Sequence, residues 1–136
     1  MVRYADDFVV LCQTAETAQA ALEEVRRWVE QNGLSLNVDK THVGDCRQQG
    51  QGFDFLGYRF EAGRRWVRKK SLTSFRDRIR MRTKRTRGDS LARIIADLNP
   101  RLRGWFNYFK HAHPNTFKWM DSVVRDAEVN GYVTTH

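Results

Sequence analysis

The feature that most constrains this chain is a change in the spacing of its apolar residues near residue 70. Before that point, one helical stretch aside, they come in short runs bounded by turn formers. After it they recur every three or four residues. The first spacing suits strands and the second suits helices. The chain therefore divides into a β-containing part, 1–70, and an all-helical part, 71–136, and its fold class is expected to be α+β. A length of 136 residues allows one ordinary domain or two small ones sharing a core.

In the first part, residues 2–12 read as two short strands around an Ala5-Asp6-Asp7 turn. Thr14 suits a helix N-cap, and Ala15, Ala18, Leu22, Val25 and Val29 follow at helical spacing up to a stop at Gly33. Residues 34–38 alternate like a half-buried strand. A polar loop, 48–52, precedes residues 53–60, which form a hairpin with a turn at Ala62-Gly63 and with residues 64–68.

In the second part, Leu72, Phe75 and Ile79 share a helical face, and Gly88-Asp89-Ser90 breaks the pattern. Leu91, Ile94, Ile95, Leu98, Leu102, Trp105, Phe106 and Phe109 then keep one helical phase across Asn99-Pro100. Either one helix ends there and another begins, or a single helix kinks. Trp105, Phe106 and Phe109 lie on the core stripe, with Arg101, Arg103 and Tyr108 off it. Pro114 opens a last helix carrying Phe117, Met120, Val123 and Val124. His111 and His113 have no partner at zinc spacing and read as helix-end polar residues.

The net charge is +8, and it is unevenly placed. Residues 64–87 hold twelve Lys or Arg against one acid, Asp77, whereas the remainder holds twelve bases against fifteen acids. A solvated helix would interleave the two signs, so the one-signed block points to a polyanion, nucleic acid before any other. The block has few large apolar residues to insert into a membrane, and no apolar run approaches the ~20 residues that span one. Two cysteines, Cys12 and Cys46, are too few for a disulfide scaffold and point to a reducing, cytoplasmic setting.

Adjacent carboxylates at a hairpin tip repel each other, and a divalent cation is the usual remedy; an exposed turn is the plainer reading. The residues around them carry more. Tyr4-Ala5-Asp6-Asp7, between Val-Arg and Phe-Val-Val-Leu, resembles the YxDD hairpin of reverse transcriptases. Residues 33–41 (Gly-Leu-Ser-Leu-Asn-Val-Asp-Lys-Thr) resemble the family's strand-and-lysine segment. Residues 55–60 (Phe-Leu-Gly-Tyr-Arg-Phe) resemble its FLGxxF primer grip. Residues 98–109 (Leu-Asn-Pro-Arg-Leu-Arg-Gly-Trp-Phe-Asn-Tyr-Phe) closely resemble the LNPxxRGWxNYF signature of the group II intron maturase domain. By these four matches the chain resembles a group II intron-encoded reverse transcriptase/maturase.

The resemblance implies a partial palm over 1–70, comprising the YxDD β-hairpin, a helix, a strand and the primer-grip hairpin. An all-α thumb/maturase helical bundle over 71–136 would follow. It implies two-metal phosphoryl transfer, with Asp6 and Asp7 as ligands of Mg²⁺. Lys40 would protonate or orient the leaving group, although a surface lysine capping a turn reads equally well. Phe55, Leu56 and Gly57 would grip the primer. Arg64, Arg65, Arg68, Lys69, Lys70, Arg76, Arg78, Arg82, Arg85, Arg101, Arg103 and Tyr108 are the candidate nucleic-acid contacts, with Arg78, Arg82 and Arg85 on one helical face.

The expected partners are RNA (the group II intron and a template–primer duplex) and no membrane. The family's upstream palm aspartate and fingers have no counterpart before Asp6, nor its basic tail after 133–136. The chain alone is therefore expected to be inactive as a polymerase. The missing fingers and palm, or a second copy, would cover its exposed sheet edges. The alternatives are a non-catalytic maturase remnant and a general basic nucleic-acid-binding module.

Overall fold

The computed structural model describes residues 1–132, without the side chains of Arg85 and residues 127–132; residues 133–136 lie outside the described residues. The order is β1 (Val2–Tyr4), β2 (Asp7–Val9), α1 (Ala15–Gln31), β3 (Phe53–Phe55), β4 (Tyr58–Glu61), β5 (Arg64–Val67), α2 (Lys69–Arg82), α3 (Leu91–Phe109) and α4 (Asn115–Tyr132). A short 3-10 turn, Arg85–Arg87, links α2 to α3. This is the mixed α+β architecture expected from the change in periodicity.

Strands β1 and β2 pair antiparallel as an isolated hairpin, with Tyr4 opposite Asp7 across a two-residue Ala5-Asp6 turn. Helix α1 starts where Thr14 Oγ1 accepts the amide of Thr17 at 3.1 Å. It stops at Gly33, whose φ of +70° suits glycine, with Leu34 N donating back to the carbonyl of Val29 at 3.0 Å. Residues 34–38 correct the expectation of a strand. They pair with no strand: residues 34–37 have no regular structure, a turn begins at Val38, and Leu34 and Val38 are exposed, because β1–β2 offers them no bonded neighbour.

Residues 53–67 form three strands, not the single hairpin expected. Leu56-Gly57 breaks the first run, giving Phe55 opposite Tyr58, and Ala62-Gly63 makes the second turn. Both residues of each turn have positive φ, the sign pattern of a type I′ hairpin. The usual signal for that turn is Asn-Gly, so Leu-Gly hides it.

The helices pack around Phe75, Ile79, Leu98 and Met120, joined by Leu72, Ile94, Leu102, Trp105 and Val124. The Phe75 and Trp105 rings stack at 4.6 Å. A second cluster of Val67, Phe109 and Ala112 draws in Tyr58, Leu72, Trp105 and Phe117, so the sheet shares its core with the helices. Helix α3 runs unbroken through Pro100, which selects the single-helix alternative at that position. Proline cannot donate to the carbonyl one turn back, a loss of roughly 3 kcal/mol or more, and packing of Leu98, Leu102 and Trp105 on both sides offsets it. Phe106 departs from the expected core: it is 49% exposed, outside both core clusters, with its ring edge-to-face on Phe117. Among the described residues no helix is long and apolar enough to cross a membrane.

Candidate nucleic-acid interface

Helix α2 turns Phe75 and Ile79 to the core and part of its charge away from it. Phe75 and Ile79 are buried, while Lys69, Lys70, Thr73, Ser74, Asp77, Arg78 and Met81 line an open groove of about 790 Å³ together with Asp54 of β3. A rise of ~1.5 Å per residue places Arg78 roughly 12 Å from Lys70 along that face. Lys69 and Lys70 occupy the first turn, which holds no acid, so they face the positive end of the helix dipole. An anion bound beside them would relieve that repulsion.

The remaining bases divide by partner. Arg82 is ion-paired to Asp97 of α3, and Arg101 reaches the same carboxylate at 3.4 Å. The hydrogen bond from Arg82 holds the Asp97 carboxyl below the usual carboxylate range. Arg76 pairs with Asp77 at 3.5 Å, and Arg68 donates to Ser71 Oγ at 3.2 Å. Arg64 lies 3.0 Å from His113 Nε2. Among the described residues, Arg65, Lys69, Lys70, Arg78 and Arg103 have no carboxylate within ion-pair distance. The helix that carries Arg78 and Arg82 ends before Arg85. Thr83 ends α2 by donating its amide to the carbonyl of Ile79 at 3.0 Å, and Arg85 opens the 3-10 turn beyond it.

The carboxylate pair sits apart from this surface. Asp6 and Asp7 are exposed at the β1–β2 tip, where Ala5 adopts a φ of +50° and the Arg3 guanidinium donates to its carbonyl at 3.0 Å. Lys40 lies in a turn closed by its own amide on the carbonyl of Asn37 at 3.2 Å, and no ion pair joins it to Asp6 or Asp7 among the described residues. Among the described residues no three His, Cys, Asp or Glu side chains gather as a metal site. Two adjacent carboxylates do not complete a centre for two Mg²⁺ ions, which needs further oxygen ligands.

The Phe55-Leu56-Gly57 segment is held from the helical side. Tyr108 donates its hydroxyl to the carbonyl of Leu56 at 2.6 Å, and Tyr58 donates its own to the carbonyl of Tyr108 at 2.5 Å. The phenol of Tyr108 is thus engaged within the chain, although the residue is 53% exposed. Burial raises the Tyr58 hydroxyl above its ordinary pKa. His113 makes a second junction: its amide donates to the carbonyl of Arg65 at 2.8 Å, and its ring stacks on Trp66 at 4.5 Å. Asn115 N donates to His113 Nδ1 at 3.3 Å, which makes His113 the helix-end polar residue expected. Tyr58 and Trp66 meet Tyr108 and His113 at these junctions, and their spacing in sequence offers no signal of it.

Two family models match the chain in the same order as these regions. Residues 1–60 match the reverse transcriptase (RNA-dependent DNA polymerase) family, and residues 72–128 match the group II intron, maturase-specific domain. No curated protein matches the chain. An Asp-Asp hairpin and a Leu-Gly turn within the first match, followed by a basic helix and the Pro100-containing helix within the second, place it in one family: the chain belongs to the group II intron reverse transcriptases/maturases, covering the end of the reverse transcriptase region and the maturase region.

Proposed function

We propose that the chain binds RNA through the charged face of α2 and acts as the thumb/maturase portion, 71–136, of a group II intron reverse transcriptase, with 1–70 as part of its palm. The observation that carries this is the groove of Lys69, Lys70 and Arg78, whose cations lack ion-pair partners among the described residues. Arg65 and Arg103 extend the contact. Arg64, Arg68, Arg76, Arg82, Arg85 and Arg101 are secondary contacts, since those with described side chains already serve groups within the chain. The partner RNAs are the intron and a template–primer duplex, met in a reducing cytoplasmic setting that suits the free Cys12 and Cys46.

The 136-residue chain by itself extends no primer. Asp6 and Asp7 supply one part of a Mg²⁺ site, Lys40 stands near the leaving group only in a completed palm, and Phe55, Leu56 and Gly57 support the primer end. Further palm strands, or a second copy, cover the open edges of β1–β2.

RNA affinity measured against salt concentration tests this. Steep salt dependence is expected, with tighter binding to folded intron RNA than to random RNA of equal length. Reversing Lys69, Lys70 and Arg78 to Glu should weaken binding more than about tenfold and lower the log–log salt slope by about 2. Equal affinity for every RNA would favour a general basic nucleic-acid binder. Mg²⁺-dependent primer extension that Asp6→Ala abolishes would contradict the inactivity.

A further inference from the structure

The Leu56-Gly57 turn is exposed, held in a disfavoured conformation, and tied from behind. Leu56 has a φ of +51° and Gly57 one of +85°. The left-handed region is unfavourable for a side chain such as leucine, and residues kept there gather where the surroundings over-determine them. Here the surroundings do so at three points. Tyr108 Oη donates to the Leu56 carbonyl at 2.6 Å, and Arg68 N donates to the Gly57 carbonyl at 3.0 Å. A Cβ added to Gly57 would come within 3.2 Å of the Phe109 ring. The Leu56 carbonyl belongs to the central peptide of the turn, between its two positive-φ residues. Tyr108 therefore holds the orientation of that peptide.

Tyr108 is itself fixed. Tyr58, which follows the turn, donates to the carbonyl of Tyr108 at 2.5 Å, and the two rings lie 6.0 Å apart. The two bonds run in opposite directions between the β3–β4 turn and the last turn of α3, some fifty residues apart in sequence. What remains directed outward is the Leu56 side chain, 43% exposed on an otherwise immobilised turn. An apolar side chain held at one orientation can pack on a sugar or base without an ordering penalty at binding.

We infer that Tyr108 is a positioning residue: through the central peptide it orients the Leu56-Gly57 turn so that Leu56 packs against the terminal nucleotide of a primer strand. This rests on the primer-grip reading of the turn and adds to it the group that sets its geometry. It also gives the α3 end a role distinct from the phosphate contacts of α2. The hydroxyl of Tyr108 acts through Leu56 and touches no nucleotide.

The test compares two probes of equal charge and length, an RNA–DNA duplex with a recessed primer 3′ end and a blunt one. The wild-type chain should prefer the recessed end. Tyr108→Phe should reduce that preference about fivefold, the effect of one lost neutral hydrogen bond, by weakening the recessed-end complex more than the blunt one. Amide exchange at residues 56–58 should quicken, while exchange in 91–105 should not. Tyr58→Phe should give the same pattern more weakly. A wild-type chain that binds both probes equally overturns the primer-grip reading and this inference together. If the wild type has the preference and Tyr108→Phe keeps it, only the inference falls. Equal weakening for both probes, or faster exchange throughout α3, would make Tyr108 a plain structural contact and also overturn it.

Discussion

Residues 1–50 and residues 53–126 are held together in different ways. The first stretch buries one side chain, Val29, and leaves Val2, Tyr4, Leu11, Trp28, Leu34 and Val38 on the surface. The second buries Val67, Phe75, Ile79, Leu98, Phe109, Ala112 and Met120 in two clusters that share Leu72 and Trp105. Among the described residues, neither the β1–β2 hairpin nor α1 makes an extensive contact with another element beyond β1 with β2. The carboxylates that resemble a polymerase centre therefore stand on the part with least packing. The charge that suits RNA stands on the part with most. A sequence motif marks chemistry without guaranteeing the scaffold that chemistry needs.

The largest way to break this contrast is through the core. Ile79→Ala should lower the unfolding free energy of the sheet-and-helix part by roughly 2–5 kcal/mol, read by chemical denaturation. Val29→Ala should leave that transition where it is. A shared transition shifted equally by both would erase the distinction.

A smaller effect comes from acid. Arg82 lowers the pKa of Asp97, so the folded value lies below the unfolded one. The stability this contributes is full above the ordinary carboxylate range and is lost as pH falls through the folded value. Asp97→Asn should lower Tm at neutral pH and have no further effect in strong acid. An equal effect at both would place the contribution elsewhere. The smallest effect belongs to the amino hairpin: Asp6→Asn and Asp7→Asn should change stability by no more than about 0.5 kcal/mol and leave RNA affinity untouched. A marked loss of either would show that the hairpin is already coupled to the rest.

Local signals were legible where chemistry acts over a few residues. Thr14 capped α1, Gly33 ended it, and the Leu72–Phe75–Ile79 stripe entered the core. The order of four motifs pointed to the family, whose models match 1–60 and 72–128. What failed depended on partners distant in sequence. Alternation over 34–38 was real, yet a strand needs a neighbour. Phe106 kept the phase of the core stripe but lies at its edge, half exposed against Phe117. The loss of Arg82 to Asp97 needed the α2–α3 crossing to be known, whereas Arg101 meets the same carboxylate from four residues along one helix, a spacing open to reading. The Tyr108–Leu56 bond joins two motifs that were read separately, and nothing in either names the other.

Hydrogen exchange across the whole chain, with and without RNA, addresses the division between the two parts in one experiment. Residues 91–109 should be well protected in the free monomer, residues 69–81 should gain protection when RNA binds, and residues 1–12 should exchange rapidly in both states. Protection of residues 1–12 equal to that of 91–109 in the free monomer, or RNA-induced protection confined to the amino hairpin, would contradict the account.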